Sequence, residues 1–183
     1  MLGKAVLSLQ VNFGLSSLGL VMVAESDGEV CAVFLGDNKE NLVDELATSF
    51  PNVILHVNQS GAPSKLLTRV VNCIECPDTP INDLPLHFLG SSFQCEVWQA
   101  LREVAAGEVI TYAQLAANIG RPSAFRAVAN ACGANKISVL IPCHRVVRSN
   151  GELGGYRWGT ARKKKLLVRE GEFKEFALNH VCG

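Results

Sequence analysis

The chain has 183 residues, 48% hydrophobic and 19% charged, enough to bury a real core and unlike a disordered chain. No stretch approaches the roughly 20 apolar residues of a membrane helix, and Met1 to Gln10 does not read as a signal peptide. The net charge is zero but divided: residues 1–86 hold four Lys and Arg against ten Asp and Glu, and residues 87–183 hold thirteen against seven.

Seven cysteines without a framework spacing indicate reduced thiols and a cytoplasmic or nuclear compartment. Within 102–169 the bias reaches twelve basic against three acidic residues. Such a segment suits a polyanion such as nucleic acid, or two halves whose charges attract each other.

In chain order, Val6 to Gln10, Leu18 to Ala24 and Val30 to Leu35 read as strands, with Asp27-Gly28 as the hairpin turn between the last two. Asn38 or Asn41 caps a helix through Leu42, Leu46 and Phe50, which Pro51 ends. Val53 to Val57 is a further short strand. Ser64 caps a helix through Leu66, Val70 and Ile74. Cys73 and Cys76 form a lone C-x-x-C, which is either two packed thiols or half of a metal site with His56, His87 or Cys31. Pro77 to Pro85 reads as a linker, so the domains are 1–85 and 86–183.

Phe93, Val97, Trp98, Leu101 and Val104 make one helical stripe, ended by Gly107. Thr111 and Gln114 form a capping box for a helix that stops at Gly120. After Arg121-Pro122, Ser123 caps a second helix with Phe125, Val128 and Cys132 inward and Arg126, Asn130 and Gly133 on another face. This is a helix-turn-helix pattern or an ordinary helical hairpin. The small residues of the second helix allow close approach to another backbone.

Ile137 to Ile141 is a buried-looking run that leads into Pro142-Cys143-His144-Arg145. A thiol becomes a nucleophile when a base or positive charge stands near it. Neighbours on a straight strand point apart, so Cys143 and His144 cooperate only through a bend or a bridging water. Leu153 to Gly159 is a glycine-rich, aromatic-bearing loop. Thr160 caps a last helix with Leu166, Leu167 and Val168 inward, while Arg162 to Lys165 reads as a solvated face. Glu170-Gly171 closes that helix, and 173–183 reads as a tail.

Ile141 to Val147, with Tyr112, Arg126, Asn135 and Glu170 around it, resembles the O6-alkylguanine-DNA alkyltransferase family. Gly155 to Gly159 is similar to its bacterial adaptive-response members. The resemblance is strong from about residue 86 to 171 and weaker before that. It implies an α/β protein: a ribonuclease-H-like supporting domain without nuclease activity, then a mainly helical domain with the helix-turn-helix.

It further implies that Cys143 accepts an alkyl group, His144 is the base through a water, Glu170 orients it, and Asn135 is a hinge. Tyr112 turns the target phosphate and bonds the flipped base, and Arg126 fills the gap left in the duplex. Ala127, Asn130 and Ser149 join Arg126 and Tyr112 as DNA contacts. The base pocket comprises Val146, Gly154, Tyr156, Arg157, Cys132 and Ser138, with the carbonyls of Cys143 and Val146 reading the exocyclic amine.

The implied activity is single-turnover, cofactor-free repair of O6-alkylguanine, and of O4-alkylthymine, in double-stranded DNA by a monomer, with no second thiol placed to remove the alkyl group. A cysteine-rich phosphotriester-repair domain and the family's zinc site are not expected. The alternatives are a non-catalytic lesion-binding protein, a helix-turn-helix regulator and a cysteine hydrolase. All three predict something other than one alkyl group per protein.

Overall fold

A computed structural model describes residues 7–171; Val6 and the expected tail at 173–183 lie outside the described residues. Strands β1 (Ser8–Ser16), β2 (Gly19–Ser26) and β3 (Glu29–Gly36) form an antiparallel meander. The first strand runs six residues beyond Gln10, because Asn12, Gly14 and Ser16 interrupt its apolar pattern but still pair with Val23, Val21 and Gly19. Asp27 and Gly28 both take positive φ, 51° and 80°, as the tight hairpin requires. Helix α1 (Lys39–Ser49) then crosses to β4 (Ile54–Val57), which lies parallel to β1 and gives the order β3-β2-β1-β4. This arrangement agrees with the expected ribonuclease-H-like sheet.

Asn38 is the cap of α1, its side chain accepting from Asn41 N–H, and Ser64 caps α2 (Lys65–Glu75) in the same way. The two helices cover opposite sheet faces: Gly36 lies under Leu42 of α1, and Gly14 under Leu67 of α2. Burial on both faces explains why Val30 to Leu35 reads as a continuous apolar run.

The segment 77–85 is not a free linker. Leu84 is buried, and Arg69 pairs with Asp83 at 2.6 Å. The chain then joins the free edge of β3, with Val30 N–H donating to Pro85 O and His87 N–H to Val30 O, both at 2.9 Å. Further along the same edge, Val33 N–H donates to Lys136 O at 2.8 Å and Ser138 N–H to Val33 O at 3.2 Å. One strand edge thus fixes both the start of the C-terminal half and the approach to Cys143.

That half begins with α3 (Ser92–Arg102), capped reciprocally by Ser91 and Gln94. It stops five residues before Gly107, because the chain turns at Glu103 and tucks Val104 in beneath the helix end. Strand β5 (Ile110–Thr111) leads into α4 (Tyr112–Asn118), with the expected Thr111–Gln114 box. Pro122 to Ala124 form a tight 3-10 turn, so α5 (Phe125–Gly133) starts two residues after Ser123, which caps nothing. Phe125 is exposed, not inward; the buried stripe is Val128, Ala131 and Cys132. Trp98 Nε1 donates to Ala131 O at 2.8 Å, a close approach that the small residues of α5 permit.

Strand β6 (Val146–Val147) pairs with β5, and α6 (Thr160–Glu170) closes the described chain. Gly159, at φ 90°, is its cap residue in place of Thr160. The expected solvated face is corrected at two positions. Lys163 is fully buried, and Arg162 bonds Leu18 O at 2.8 Å and Asp37 at 2.7 Å. Lys164 and Lys165 are exposed, and so is Val168, which was expected inward. Among the described residues no helix is long and apolar enough to cross a membrane.

Candidate active site

Ile137 to Ile141 is buried but is a turn and not a strand, with Val139 at φ 70°. Pro142 then leads into a single 3-10 turn at Cys143–Arg145. This is the bend that the Cys143–His144 pair required. The turn leaves Cys143 half-buried at a cavity of about 340 Å³ and points His144 and Arg145 inward.

Behind the cysteine, His144 Nε2 lies 2.9 Å from Glu170 Oε1. Arg145 grips the same carboxylate with two arms, Nε to Oε2 at 3.0 Å and Nη2 to Oε1 at 2.9 Å. Its third arm donates to Val104 O at 2.5 Å, which the early end of α3 makes possible. Burial works to raise the Glu170 carboxyl, but the bonds from His144 and Arg145 outweigh it and hold the pKa at about 2. Burial lowers His144, so the imidazole is neutral at neutral pH. An ionised carboxylate only accepts, so His144 carries its proton on Nε2. Nδ1 keeps a lone pair and has no partner among the described residues.

Asn135 supports the Cys143 thiol from the other side. Its Nδ2 donates to Ile141 O at 2.8 Å and to Cys143 Sγ at 3.2 Å, and its Oδ1 accepts from Ile137 N–H at 2.8 Å. Burial pushes the Cys143 thiol up, and the Asn135 bond and nearby Lys163 pull against it. The resting cysteine is therefore protonated and needs a base.

The cavity is lined by Tyr112, Ala129, Cys132, Gly133, Cys143, Gly155, Tyr156 and Arg157. Of the expected pocket residues, Cys132, Tyr156 and Arg157 line it. Ser138 stands behind, accepting from Trp158 Nε1, and Val146 is fully buried with its carbonyl occupied by Lys163 Nζ at 2.6 Å. Gly154 has φ 68°, a left-handed conformation that favours glycine. The thiol of Cys132, one of the expected pocket residues, shares the cavity with Cys143. Burial pushes that thiol far up, so it is not a thiolate.

On the outer side of α5, Arg126, Ala127, Asn130 and Gly133 are all exposed, and Ser149 is exposed in the turn after β6. Burial raises the Tyr112 phenol, which leaves it a hydrogen-bond donor at neutral pH.

Lys163 is the site residue that sequence reasoning missed; Arg145, noted as a charge near the thiol, engages Glu170 instead. Lys163 reaches three backbone carbonyls: Val146 at 2.6 Å, Leu153, and Gly155 at 3.5 Å. It ties the strand after the nucleophile to the loop over the cavity. The signal was its spacing: Lys163, Leu166, Leu167 and Glu170 share one helical face. Cys73 is buried in α2 and Cys76 is exposed at its end. No three His, Cys, Asp or Glu side chains converge on a cation position among the described residues.

A buried His–Glu pair thus lies behind a cavity cysteine, beside a helix whose outer face is exposed. A family model described as the DNA-binding domain of 6-O-methylguanine DNA methyltransferase matches residues 92–172. A methylated-DNA–protein-cysteine methyltransferase from Debaryomyces hansenii is 33% identical over 160 residues, 82% of this chain and 84% of that protein. The bifunctional transcriptional activator/DNA repair enzyme Ada of Escherichia coli is 46% identical over 175 residues, 92% of this chain.

Among solved structures, the Mycobacterium tuberculosis OGT crystallised with DNA superposes with a TM-score of 0.71 at 29% identity, covering 90% of this chain and 92% of that one. The chain belongs to the methylated-DNA–protein-cysteine methyltransferase family. It spans 48% of the length of Ada and 44% of the length of the related Salmonella regulatory protein.

Proposed function

We propose that this chain repairs DNA by direct reversal, moving an alkyl group from O6 of guanine in double-stranded DNA onto Cys143. The observation that carries this reading is the Cys143 thiol at the cavity, backed by a neutral His144 whose proton is fixed toward Glu170. His144 Nδ1 takes the thiol proton through a water, and the ionised Glu170 stabilises the imidazolium that results. The thiolate attacks the alkyl carbon, the S–C bond forms, and the O6–C bond breaks. The guanine anion then takes up one proton, matching the one that Cys143 lost. The same displacement serves O4-alkylthymine.

A base inside a duplex must leave the stack to reach the cavity. The exposed face of α5 is our candidate groove reader, with Arg126 filling the gap and Ala127, Asn130 and Ser149 contacting the strand. Tyr112, held as a donor, bonds the flipped base and turns its phosphate, and Asn135 joins the reading helix to the nucleophile. The base lies between Cys132 and the loop holding Gly154, Tyr156 and Arg157, near Val146 and Ser138. A thioether is stable, and the neutral Cys132 thiol does not displace it, so each protein acts once and needs no cofactor. Residues 1–85 are the supporting domain and 86–183 the reactive one. The protein works as a monomer in the cytoplasm or nucleus.

The deciding experiment is intact mass after incubation with a duplex carrying one O6-methylguanine. A gain of one methylene mass, mapped to the Cys143 peptide and absent from Cys143→Ala, supports the reading. Unchanged mass with tight lesion binding would leave a damage-recognition protein.

A further inference from the structure

The loop Leu153–Gly159 forms one wall of the cavity through Gly155, Tyr156 and Arg157, yet it has no regular secondary structure and contains three glycines. Such a wall keeps its position only through its anchors. Lys163 holds its beginning. Its end is held across the molecule. Arg157 Nε donates to Glu45 Oε1 at 3.0 Å, and Arg157 Nη2 donates to Ser49 Oγ at 2.9 Å, both on α1. The guanidinium lies 5.2 Å from the ring centres of Phe34 and Trp158, which pack 4.7 Å apart. The nearby cation Lys136 is engaged elsewhere, over the Phe50 ring at 4.7 Å. Arg157 is thus a cavity-lining residue whose head group is gripped by the N-terminal sheet domain.

We propose that Glu45 is a positioning residue for the alkyl-transfer site: through Arg157 it fixes the wall at Gly155 and Tyr156 and so sets the size of alkyl group the cavity accepts. The inference rests on the alkyl-transfer reading. It gives the N-terminal half a part in substrate selection. The Glu45 carboxylate is 40% exposed, so the pair adds little to overall stability and acts mainly through geometry. A reacting centre misplaced by about 1 Å can lose up to roughly a hundredfold in rate, so a loosened wall penalises the snug methyl substrate most. A bulky group, which needs the wall to yield, suffers least.

The test compares single-turnover rate constants on duplexes carrying O6-methylguanine or O6-benzylguanine, for wild type, Glu45→Ala, Glu45→Gln and Arg157→Ala. Glu45→Ala and Arg157→Ala should lower the methyl rate roughly tenfold and the benzyl rate clearly less, so that the benzyl-to-methyl ratio rises about threefold or more. Benzyl transfer that appears only in the variants counts as the same rise. Glu45→Gln keeps the acceptor oxygen and should restore most of the wild-type ratio. Unfolding midpoints should stay within about 3 °C. Wild-type transfer with an unchanged ratio in Glu45→Ala, or both rates falling by one factor, overturns the inference. No transfer by wild type would instead sink the alkyl-transfer reading itself.

Discussion

His144 and Glu170 stand 26 residues apart in the chain and meet at 2.9 Å, Nε2 to Oε1. Because Arg145 holds both oxygens of the same carboxylate, Glu170 is kept from turning away to solvent. The pair therefore fixes which imidazole nitrogen is free to act as base, and α6 carries the residue that decides it.

Glu170→Gln tests that relationship. The neutral side chain leaves the buried Arg145 charge uncompensated, at a cost of about 3–5 kcal/mol. It also removes the charge that stabilises an imidazolium at His144, and the transfer rate should fall roughly a hundredfold. Urea unfolding and single-turnover kinetics read the two effects separately. A wild-type rate in a destabilised variant would show that Glu170 is structural only.

Acid should weaken the fold in two stages. His144 is buried neutral with its pKa below the ordinary 6.5, so the unfolded chain binds the extra proton first, and stability begins to fall below about pH 6.5. Glu170 is lowered from 4.5 to about 2, so its contribution is present above 4.5 and is lost as the pH falls toward 2. That second contribution is about 3 kcal/mol. Urea midpoints from about pH 7 to pH 3 should show both stages, and Glu170→Gln should shrink the lower one. By the same logic the transfer rate should be flat through neutral pH. A rate that rises through about pH 7 to 8 would mean that His144 starts protonated.

Lys163→Met should be worse than its place in a basic run suggests. The carbonyls of Val146, Leu153 and Gly155 would lose their shared donor, and burying them unpaired costs about 1–3 kcal/mol each before relaxation. Burial already lowers this lysine to about 8. We expect a lower unfolding midpoint together with faster amide exchange at 153–156. Exchange unchanged in that loop would remove Lys163 from the support of the cavity.

These cases show what the sequence could and could not convey. Local chemistry was legible: the caps at Asn38, Ser64 and Thr111, the Asp27-Gly28 turn and the Cys143-His144-Arg145 run all act within a few residues of themselves. What escaped is set by contacts over long separations. Lys163 looked solvated because its neighbours are charged, although its partners lie on segments 8 to 17 residues away. Arg157 appeared to belong to a loop alone, and its partner Glu45 is 112 residues distant. Segment 77–85 had linker composition, yet the free edge of β3 drew the residues after it into pairing.

Arg126 offers a test of how the lesion reaches Cys143. It is exposed on α5, its guanidinium 5.7 Å from the ring centre of the equally exposed Phe125, and it has no other assigned work in the fold. If it fills the gap left by a flipped base, its value lies in offsetting the unstacking cost of a few kcal/mol. A single strand has no base pair to break and a weaker stack to leave. Arg126→Ala should therefore slow transfer from a duplex carrying O6-methylguanine by roughly tenfold or more, and slow transfer from the same lesion in a single strand much less. Equal losses on both substrates would make Arg126 a general phosphate contact, which should also show as a reduced salt dependence of binding.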